Sequence, residues 1–349
     1  MRRNRFFLLV TVVLIVSGCA FQPARRSAHD YLTLWNDCDA VTALQAYVED
    51  VTDPQSEHFI PVEDRIATFD MDGTFVGELD PTYFEYSLLE YRALEDTDYT
   101  APSQVRQAAQ AIRDFVRNGT PLPDHFDLIH AHAAAQAYAG MTTDEFERYV
   151  SHFAATCAKG FRGMTYGESF YQPMLQVFDY LEANGFTYYV VSGSDRFLCR
   201  ALVRPLGIAP NRVIGMDVRL CTSKQGSVPA IDYTMGADEQ ILRTDELIIK
   251  NLKTNKVLQI MQEIGKIPVL SFGNSGGDCA MHNLCLHSPY EHAAFMLVAD
   301  DEARDHANRE KALQLAEQWR EAGYHVISMR DDFKTIYGQE VEKVAFEYQ

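Results

Sequence analysis

The amino-acid sequence predicts an α/β fold: a Rossmann-like, doubly wound parallel sheet core with an all-helical cap inserted after the first core strand. Short apolar segments alternate with longer segments whose apolar residues recur at helical spacing. This alternation is typical of a parallel sheet covered by helices on both faces. Residues 81–164 depart from it, because their pattern is helical throughout. An insertion of that kind directly after a strand indicates a cap.

Length and composition indicate a folded globular protein. The chain has 349 residues, 47% of them hydrophobic and 23% charged, which excludes collagen-like, coiled-coil and wholly disordered proteins. Its 31 Lys and Arg residues are outnumbered by 49 Asp and Glu residues, giving a net charge of −18. This excess of acid opposes binding to a polyanion, so we expect no nucleic-acid partner. An anionic substrate would need a local attraction, such as a metal ion, a lysine or a helix N-terminus.

The N-terminus has the order of a bacterial export signal. Basic residues within 1–5 precede an apolar run over 6–16, and a few small residues then lead to Cys19. The apolar run is shorter than the roughly 20 residues that a membrane-spanning helix needs. Its ending resembles a lipobox, which implies a lipoprotein signal peptide over 1–19, lipidation of Cys19 and a tether over 20–29. The protein would then be exported and anchored by lipid on the periplasmic or extracellular side of a bacterial membrane. The alternative is an ordinary cleaved signal with an incidental cysteine.

The first predicted elements after the tether are a helix over 32–51 and a buried strand over 65–69. The strand is predicted because its apolar residues are bounded by polar ones on both sides. Four cap helices follow, and Thr142 with the acids after it supplies the N-terminal cap of the last one. The cap helices are predicted over 83–94, 103–117, 126–138 and 143–157.

After the cap, helices and strands alternate again, and Gly185 and Gly207 end two of the helices. The predicted helices are 173–184, 195–206, 255–264 and 308–322. The predicted strands are 186–192, 212–220, 268–272, 294–299 and 325–329, with a hairpin-like region before the helix at 255. In this organisation residues 30–80 and 165–349 form the α/β core, and residues 81–164 form the cap.

Six cysteines follow Cys19, and the sequence leaves their state open. In an oxidising compartment they can form disulfides in many different pairings. Burial as free thiols in a large core is an equally good interpretation. The six are Cys38, Cys157, Cys199, Cys221, Cys279 and Cys285.

Polar residues and glycines follow three of the predicted strands, at the edge where ligands bind in doubly wound folds. The first strand leads into DMDGT at 70–74, and two later strands lead into 192–195 and 273–278. Two carboxylates two residues apart can divide the work of nucleophile and proton donor. Asp278, on a separate turn, completes an oxygen-rich site suited to Mg²⁺, which would offset the repulsion between a carboxylate and a phosphoryl group. Lys256, near the start of a helix, can act as a point charge on phosphate.

These motifs resemble those of the haloacid dehalogenase (HAD) superfamily, on its phosphoserine-phosphatase-like branch. That branch has DxDGT, a strand-terminal Ser or Thr, a Lys and a G(D/N)xxxD turn. This chain has them in the same order, at 70–74, Ser192, Lys256 and 273–278. The resemblance covers the chain from about residue 35 to residue 336.

The resemblance implies a role for each matching residue. Asp70 would attack phosphorus and become an aspartyl-phosphate. Asp72 would protonate the leaving oxygen and then activate water. Ser192, Gly193 and Lys256 would hold the phosphoryl group. The second acid, Asp72, favours a phosphatase over the dehalogenase members, which lack it.

The resemblance also implies a Mg²⁺ site. Its ligands would be Asp70, the backbone carbonyl of Asp72, Asp278 and Asn274. Asn274 departs from the pattern of many relatives, which have an acid at this position. The site therefore has one negative charge fewer.

The sequence thus predicts an exported, lipid-anchored, Mg²⁺-dependent phosphomonoester hydrolase that acts through an aspartyl-phosphate on a small phosphorylated metabolite. A phosphotransferase or mutase with the same intermediate, and a non-catalytic ligand-binding lipoprotein on the same fold, are the alternatives. Lys250 and Lys253 compete with Lys256 for the phosphate. The histidines at 125, 130 and 132 are more typical of packing than of a zinc site. No residue identifies the ester.

Overall fold

The computed structural model describes residues 28–78 and 81–346. Its helices are α1 (Ala28–Tyr31), α2 (Asp39–Thr52), α3 (Phe84–Leu94), α4 (Ser103–Asn118), α5 (Phe126–Ala137), α6 (Thr143–Ala154), α7 (Gln172–Ala183), α8 (Arg196–Val203), α9 (Thr254–Glu263), α10 (Cys279–Cys285), α11 (Arg309–Glu321) and α12 (Met329–Asp332). Its strands are β1 (Ile66–Phe69), β2 (Phe161–Arg162), β3 (Thr187–Asp195), β4 (Val213–Thr222), β5 (Ile241–Ile249), β6 (Leu270–Gly273), β7 (Ala293–Val298), β8 (His325–Ser328) and β9 (Glu342–Lys343).

Seven of these strands form a central sheet in the order β5-β4-β3-β1-β6-β7-β8. Its neighbouring strands are parallel, except that β4 and β5 are antiparallel. The strand order reverses at β1, which has β3 on one side and β6 on the other. A crevice for ligands forms outside the carboxyl ends of the strands at such a point. The predicted fold class is confirmed.

Both faces of the sheet are buried, as the nearly continuous apolar strands predict. In β7, Phe295 belongs to the apolar cluster that includes α2, whereas Ala294 packs with α11. Beneath the carboxyl edge of the sheet, Phe69 of β1 stacks on Phe272 of β6 with ring centroids 4.3 Å apart. This packing fixes the strand ends from which the site residues extend.

The cap helices α3 to α6 lie between β1 and β3 along the chain, with bounds close to those predicted. The predicted N-terminal capping of helix α6 is present, because Thr142 Oγ1 accepts the N–H of Glu145 (3.0 Å) and Glu145 Oε2 accepts the N–H of Thr142 (2.8 Å). The sequence patterns did not predict β5 or α10 as separate elements. β5 is an antiparallel edge strand with mostly half-exposed residues, so it lacks the apolar run of a central strand. α10 has only seven residues, too few for a clear helical period.

The β4–β5 hairpin ties the cap to the core. The N–H of Gly140 donates to the carbonyl of Arg243 (2.8 Å), and the N–H of Arg243 donates to the carbonyl of Met141 (2.9 Å). The buried Arg243 guanidinium also pairs with both carboxylate oxygens of Asp195 (3.2 and 2.6 Å) and lies 4.0 Å over the ring of Phe146. Loss of one partner of a buried pair typically destabilises a protein by about 3–5 kcal/mol. This residue therefore holds cap, hairpin and core together.

The predicted signal peptide (1–19), with Cys19, lies outside the described residues, as does most of the predicted tether (20–29). Across residues 28–78 and 81–346, no helix is both long and apolar enough to cross a membrane. The six cysteines in this part of the chain are free thiols, of which Cys199 and Cys285 are buried.

Candidate active site

The predicted site residues lie at the carboxyl ends of β1, β3 and β6. Asp70 directly follows β1, and its N–H donates to the carbonyl of Phe272 in β6 (2.9 Å). A cavity of about 130 Å³ opens at this edge of the sheet. Of the predicted residues, its wall contains Asp70, Asp72, Gly193, Lys256, Asn274 and Asp278.

The ammonium group of Lys256 joins two carboxylates. Its Nζ donates to Oδ1 of Asp70 (2.5 Å) and to Oδ1 of Asp278 (2.7 Å), and all three side chains are buried. Burial and the charge of Asp278 raise the pKa of Asp70. Burial opposes ionisation of Asp278 as well, but the Lys256 ammonium outweighs it and lowers the pKa of Asp278. Oδ2 of Asp70 accepts a long hydrogen bond from Thr74 Oγ1 (3.4 Å), so it is bound less tightly than Oδ1, which accepts from Lys256 (2.5 Å).

Asp72 is positioned to transfer a proton. Ser194 Oγ donates to its Oδ2 (2.8 Å), and Ser192 Oγ lies 3.5 Å from the same oxygen. Its other oxygen, Oδ1, is buried and has no hydrogen-bond partner. Burial and the charge of Glu85 raise the pKa of Asp72 to about 7. A carboxyl group with this pKa can donate a proton near neutral pH.

The end of β3 places Gly193 and Ser194 in the cavity wall and Ser192 behind them. Ser192 Oγ accepts the N–H of Ser194 (3.0 Å), and the Ser192 carbonyl accepts a hydrogen bond from Asn251 Nδ2 (2.9 Å). A Cβ atom at Gly193 would lie 2.5 Å from Cδ2 of Leu252. A side chain at this position would therefore have to displace Leu252. Ser192 contacts Asp72 and the backbone that carries Ser194, and these contacts fix the shape of this wall.

Asn274 contacts a carboxylate that the sequence motifs do not include. Its Nδ2 donates to Oε2 of Glu78 (2.5 Å), and its backbone N–H donates to Oδ2 of Asp278 (3.1 Å). Burial, together with the charge of Asp70, raises the pKa of Glu78 to about 7. An aspartate at position 274 would bring a second negative charge against Glu78, which gives a physical reason for the amide. Gly73 is required beside this pair, because its φ is +78° and a Cβ would lie 1.9 Å from Asn274 Nδ2.

The oxygen atoms around Asp70 and Asp278 are of the type that Mg²⁺ prefers. Within the part of the chain that the structure describes, no group of three or more His, Cys, Asp or Glu side chains is arranged to hold a metal ion. Mg²⁺ usually keeps several waters and takes only one or two protein carboxylates, so Asp70 and Asp278 suffice. Lys256 pairs with Asp70 and Asp278, whose charges also raise the pKa of the nearby Glu78, and a cation would offset the remaining negative charge. The donor set therefore fits Mg²⁺.

Three buried polar residues beside Asp72 form a group that the sequence did not predict. Lys250 Nζ donates to Oε1 of Glu85 (2.8 Å), and His130 Nδ1 lies 3.7 Å from the same oxygen. Burial opposes ionisation of Glu85, but Lys250 and then His130 outweigh it and lower the pKa of Glu85. Burial lowers the pKa of His130 to about 4. Glu85 and Lys250 line the cavity, whereas Lys253 is exposed. A glutamate between two aromatic residues, Phe84 and Tyr86, at the start of α3 was the available sequence signal.

Comparison with solved structures shows the fold. Cytosolic 5′-nucleotidase IIIB bound to cytidine gives a TM-score of 0.50 at 11% identity, over 88% of this chain and 93% of that chain. A conserved protein of unknown function from Anaerococcus prevotii gives 0.49 at 14% identity, over 82% and 91%. A HAD-family hydrolase from Salmonella enterica serovar Typhi gives 0.41 at 12% identity, over 77% and 68%. No protein-family model matches the chain, and no curated protein sequence matches it significantly. At such identities the likeness shows a shared fold alone.

Proposed function

We propose that this protein is a phosphomonoester hydrolase of the HAD superfamily that forms an aspartyl-phosphate on Asp70. The observation that carries the proposal is the pair of carboxylates at the end of β1, which differ in environment. Asp70 is bound by the Lys256 ammonium, whereas Asp72 accepts a hydrogen bond from Ser194 and has a second oxygen that is buried without a hydrogen-bond partner. The shared fold and the order of the motifs support the same superfamily.

In the first half of the reaction, the two aspartates act on opposite sides of the phosphorus atom. Lys256 and the wall at Gly193 bind the phosphoryl oxygens. Oδ2 of Asp70 attacks phosphorus and forms a new P–O bond, while the ester P–O bond breaks. Asp72 gives its proton to the leaving oxygen, so that an alcohol departs.

In the second half, Asp72 works in the reverse direction. Its carboxylate accepts a proton from water, and the water oxygen attacks phosphorus. The bond between phosphorus and Asp70 breaks, which releases phosphate and restores both side chains. The burial of Asp70 and Asp72 keeps bulk water away until the alcohol has left.

Mg²⁺ is the proposed cofactor. Asp70 and Asp278, with the backbone carbonyl of Asp72 and the side chain of Asn274, are the residues that would hold it. When bound, it supplies positive charge that offsets the repulsion between the Asp70 carboxylate and the phosphoryl oxygens. Lys256 already supplies one fixed positive charge at the same place.

Phosphate release by the purified protein from a panel of small phosphomonoesters tests this function. We expect release in Mg²⁺, loss of most of the activity in a chelator and recovery when Mg²⁺ is returned in excess. A folded protein that binds phosphoesters but releases no phosphate would contradict the proposal and favour a non-catalytic binding protein. Transfer of phosphate to an alcohol in place of water would favour a phosphotransferase or mutase.

We also propose that the protein is exported and anchored to a bacterial membrane through lipid on Cys19. The support is the order of basic, apolar and small residues that ends at this cysteine. We expect labelled palmitate to enter the wild-type protein in the membrane fraction and not to enter a Cys19→Ser variant. Unlabelled protein in the cytoplasmic fraction would contradict the proposal.

A further inference from the structure

A second buried ion pair, between Glu85 and Lys250, lies in the wall of the catalytic cavity. Oε1 of Glu85 accepts a hydrogen bond from Lys250 Nζ (2.8 Å), but Oε2 is buried without a partner. Glu85 and Lys250 are only 8% and 7% exposed. An unpaired buried carboxylate oxygen is costly, and such atoms are rare in folded proteins. Glu85 lines the cavity but its Oε2 is not exposed there, so a ligand that draws Oε2 into the cavity with a hydrogen bond removes this cost.

The pair is close to the group that would protonate the leaving oxygen. After burial, the charge of Glu85 is the largest cause of the raised pKa of Asp72, and Lys250 acts on the same carboxyl group. Oδ1 of Asp72 is also buried without a hydrogen-bond partner. Glu85 belongs to the cap helix α3, whereas Lys250 directly follows β5 of the core sheet. The pair is therefore placed to contact the leaving group that Asp72 would protonate, whereas Lys256 is hydrogen-bonded to Asp70.

The chemistry of the pair selects a hydroxyl group. An ammonium on the leaving group would meet the positive charge of Lys250, and a carboxylate would meet the negative charges of Glu85 and of Asp127, which also lines the cavity. A hydroxyl both donates and accepts hydrogen bonds. It can donate to Oε2 of Glu85 and accept from an N–H of Lys250 without bringing a net charge into a buried site.

The size of the cavity limits the leaving group. Its volume is about 130 Å³, and a cavity of about 150 Å³ holds a single benzene molecule. The rings of Tyr83 and Tyr86 stand in its wall. The cavity therefore has room for a phosphoryl group and a short chain.

We propose that the substrate is the monophosphate of a small polyol, with about three or four carbons, whose hydroxyl groups bind Glu85 and Lys250. This inference rests on the proposed phosphatase function and adds the substrate class. It assigns to Glu85 and Lys250 a role in substrate specificity.

A matched series of three-carbon esters tests the inference on the full-length wild-type protein in Mg²⁺. The series is glycerol phosphate, propyl phosphate, 3-aminopropyl phosphate and 2-carboxyethyl phosphate, compared by kcat/KM. We expect glycerol phosphate to exceed propyl phosphate by about 10- to 100-fold, the effect of a hydrogen bond to a charged group. Both charged esters should fall below glycerol phosphate. Equal values for propyl and glycerol phosphate, or a preference for either charged ester, would overturn the inference while leaving the phosphatase function intact. Absence of turnover on every ester would overturn both.

Two glutamate variants test whether Glu85 causes the preference for glycerol phosphate over propyl phosphate. Glu85→Gln should reduce the ratio of glycerol to propyl phosphate by about tenfold, because the amide replaces a charged acceptor. Glu90→Gln is the matched control: Glu90 is on the same helix, is also buried and pairs with Arg113 (2.9 Å), but it is not in the cavity wall. It should leave the ratio unchanged. A folded Glu85→Gln protein with the wild-type ratio would overturn the role of Glu85 in specificity. The series of esters on the wild-type protein decides the substrate class even where a variant fails to fold.

Discussion

Replacement of Asp70 by asparagine is expected to lower kcat for phosphate release by about 10⁴- to 10⁶-fold, the scale of losses seen when a covalent nucleophile is removed. An amide has the same shape as the carboxylate but cannot form an aspartyl-phosphate. Lys256 keeps its second partner, Asp278 Oδ1 at 2.7 Å, so the buried ammonium stays paired and the fold should persist. The loss would therefore come from chemistry and not from unfolding.

Rapid acid quenching of a reaction with ³²P-labelled ester measures the intermediate directly. The wild-type protein should retain label that hydroxylamine removes, as an acyl phosphate does, and Asp70→Asn should retain none. Asp64→Asn is a suitable control, because Asp64 lies just before β1 and forms a partly exposed pair with Lys266 outside the cavity. Wild-type turnover by Asp70→Asn would show that another group attacks phosphorus.

The catalytic carboxylates could be predicted from sequence because the chain itself places them together. Asp70 and Asp72 are two residues apart at the end of an apolar strand, and the central position of that strand brings them to the crevice. Lys256 lies in α9 and Asp278 directly precedes α10, and their roles were predicted from their chemistry and from the resemblance of the motifs. The structure brings the side chains of both within 2.7 Å of each other.

The other contacts of the site depend on how distant segments meet. Glu85 and Lys250 are 165 residues apart, and Glu78 and Asn274 are 196 residues apart. No local pattern encodes these pairs, because each depends on where the cap or a loop lies over the sheet. The same reason applies to Ser192. Its position toward the end of a strand was predictable, but the irregularity of β3 between Val191 and Asp195, where Gly193 and Ser194 lie in the wall and Ser192 behind it, was not.

Replacement of Asp72 by asparagine is expected to lower kcat/KM for propyl phosphate by about 10²- to 10⁴-fold, the usual contribution of a positioned general acid. An alkoxide is a poor leaving group and needs the proton, whereas the acetate of acetyl phosphate leaves without one. The loss with acetyl phosphate should therefore be far smaller. Because kcat/KM reports the reaction only as far as formation of the aspartyl-phosphate, the later activation of water by Asp72 does not enter this comparison. Equal losses with propyl phosphate and acetyl phosphate would show that Asp72 acts in binding or structure and not as an acid.

The pH profile gives an independent test of the same role. Burial and the Glu85 charge raise the pKa of Asp72 to about 7, and only the protonated carboxyl can donate. Wild-type kcat/KM for propyl phosphate should thus fall on the alkaline side of pH 7 as Asp72 loses its proton, and this fall should be absent in Asp72→Asn. Ionisation of Asp70, whose pKa is also raised to about 7, acts in the opposite direction and gives the rise on the acid side. The hydrogen bond from Ser194 Oγ (2.8 Å) favours the ionised form and lowers the pKa of Asp72. Ser194→Ala should therefore move the fall to higher pH, because the proton is held more tightly once that bond is gone. An unchanged profile in both variants would assign the titration to another group and remove Asp72 from the role of acid.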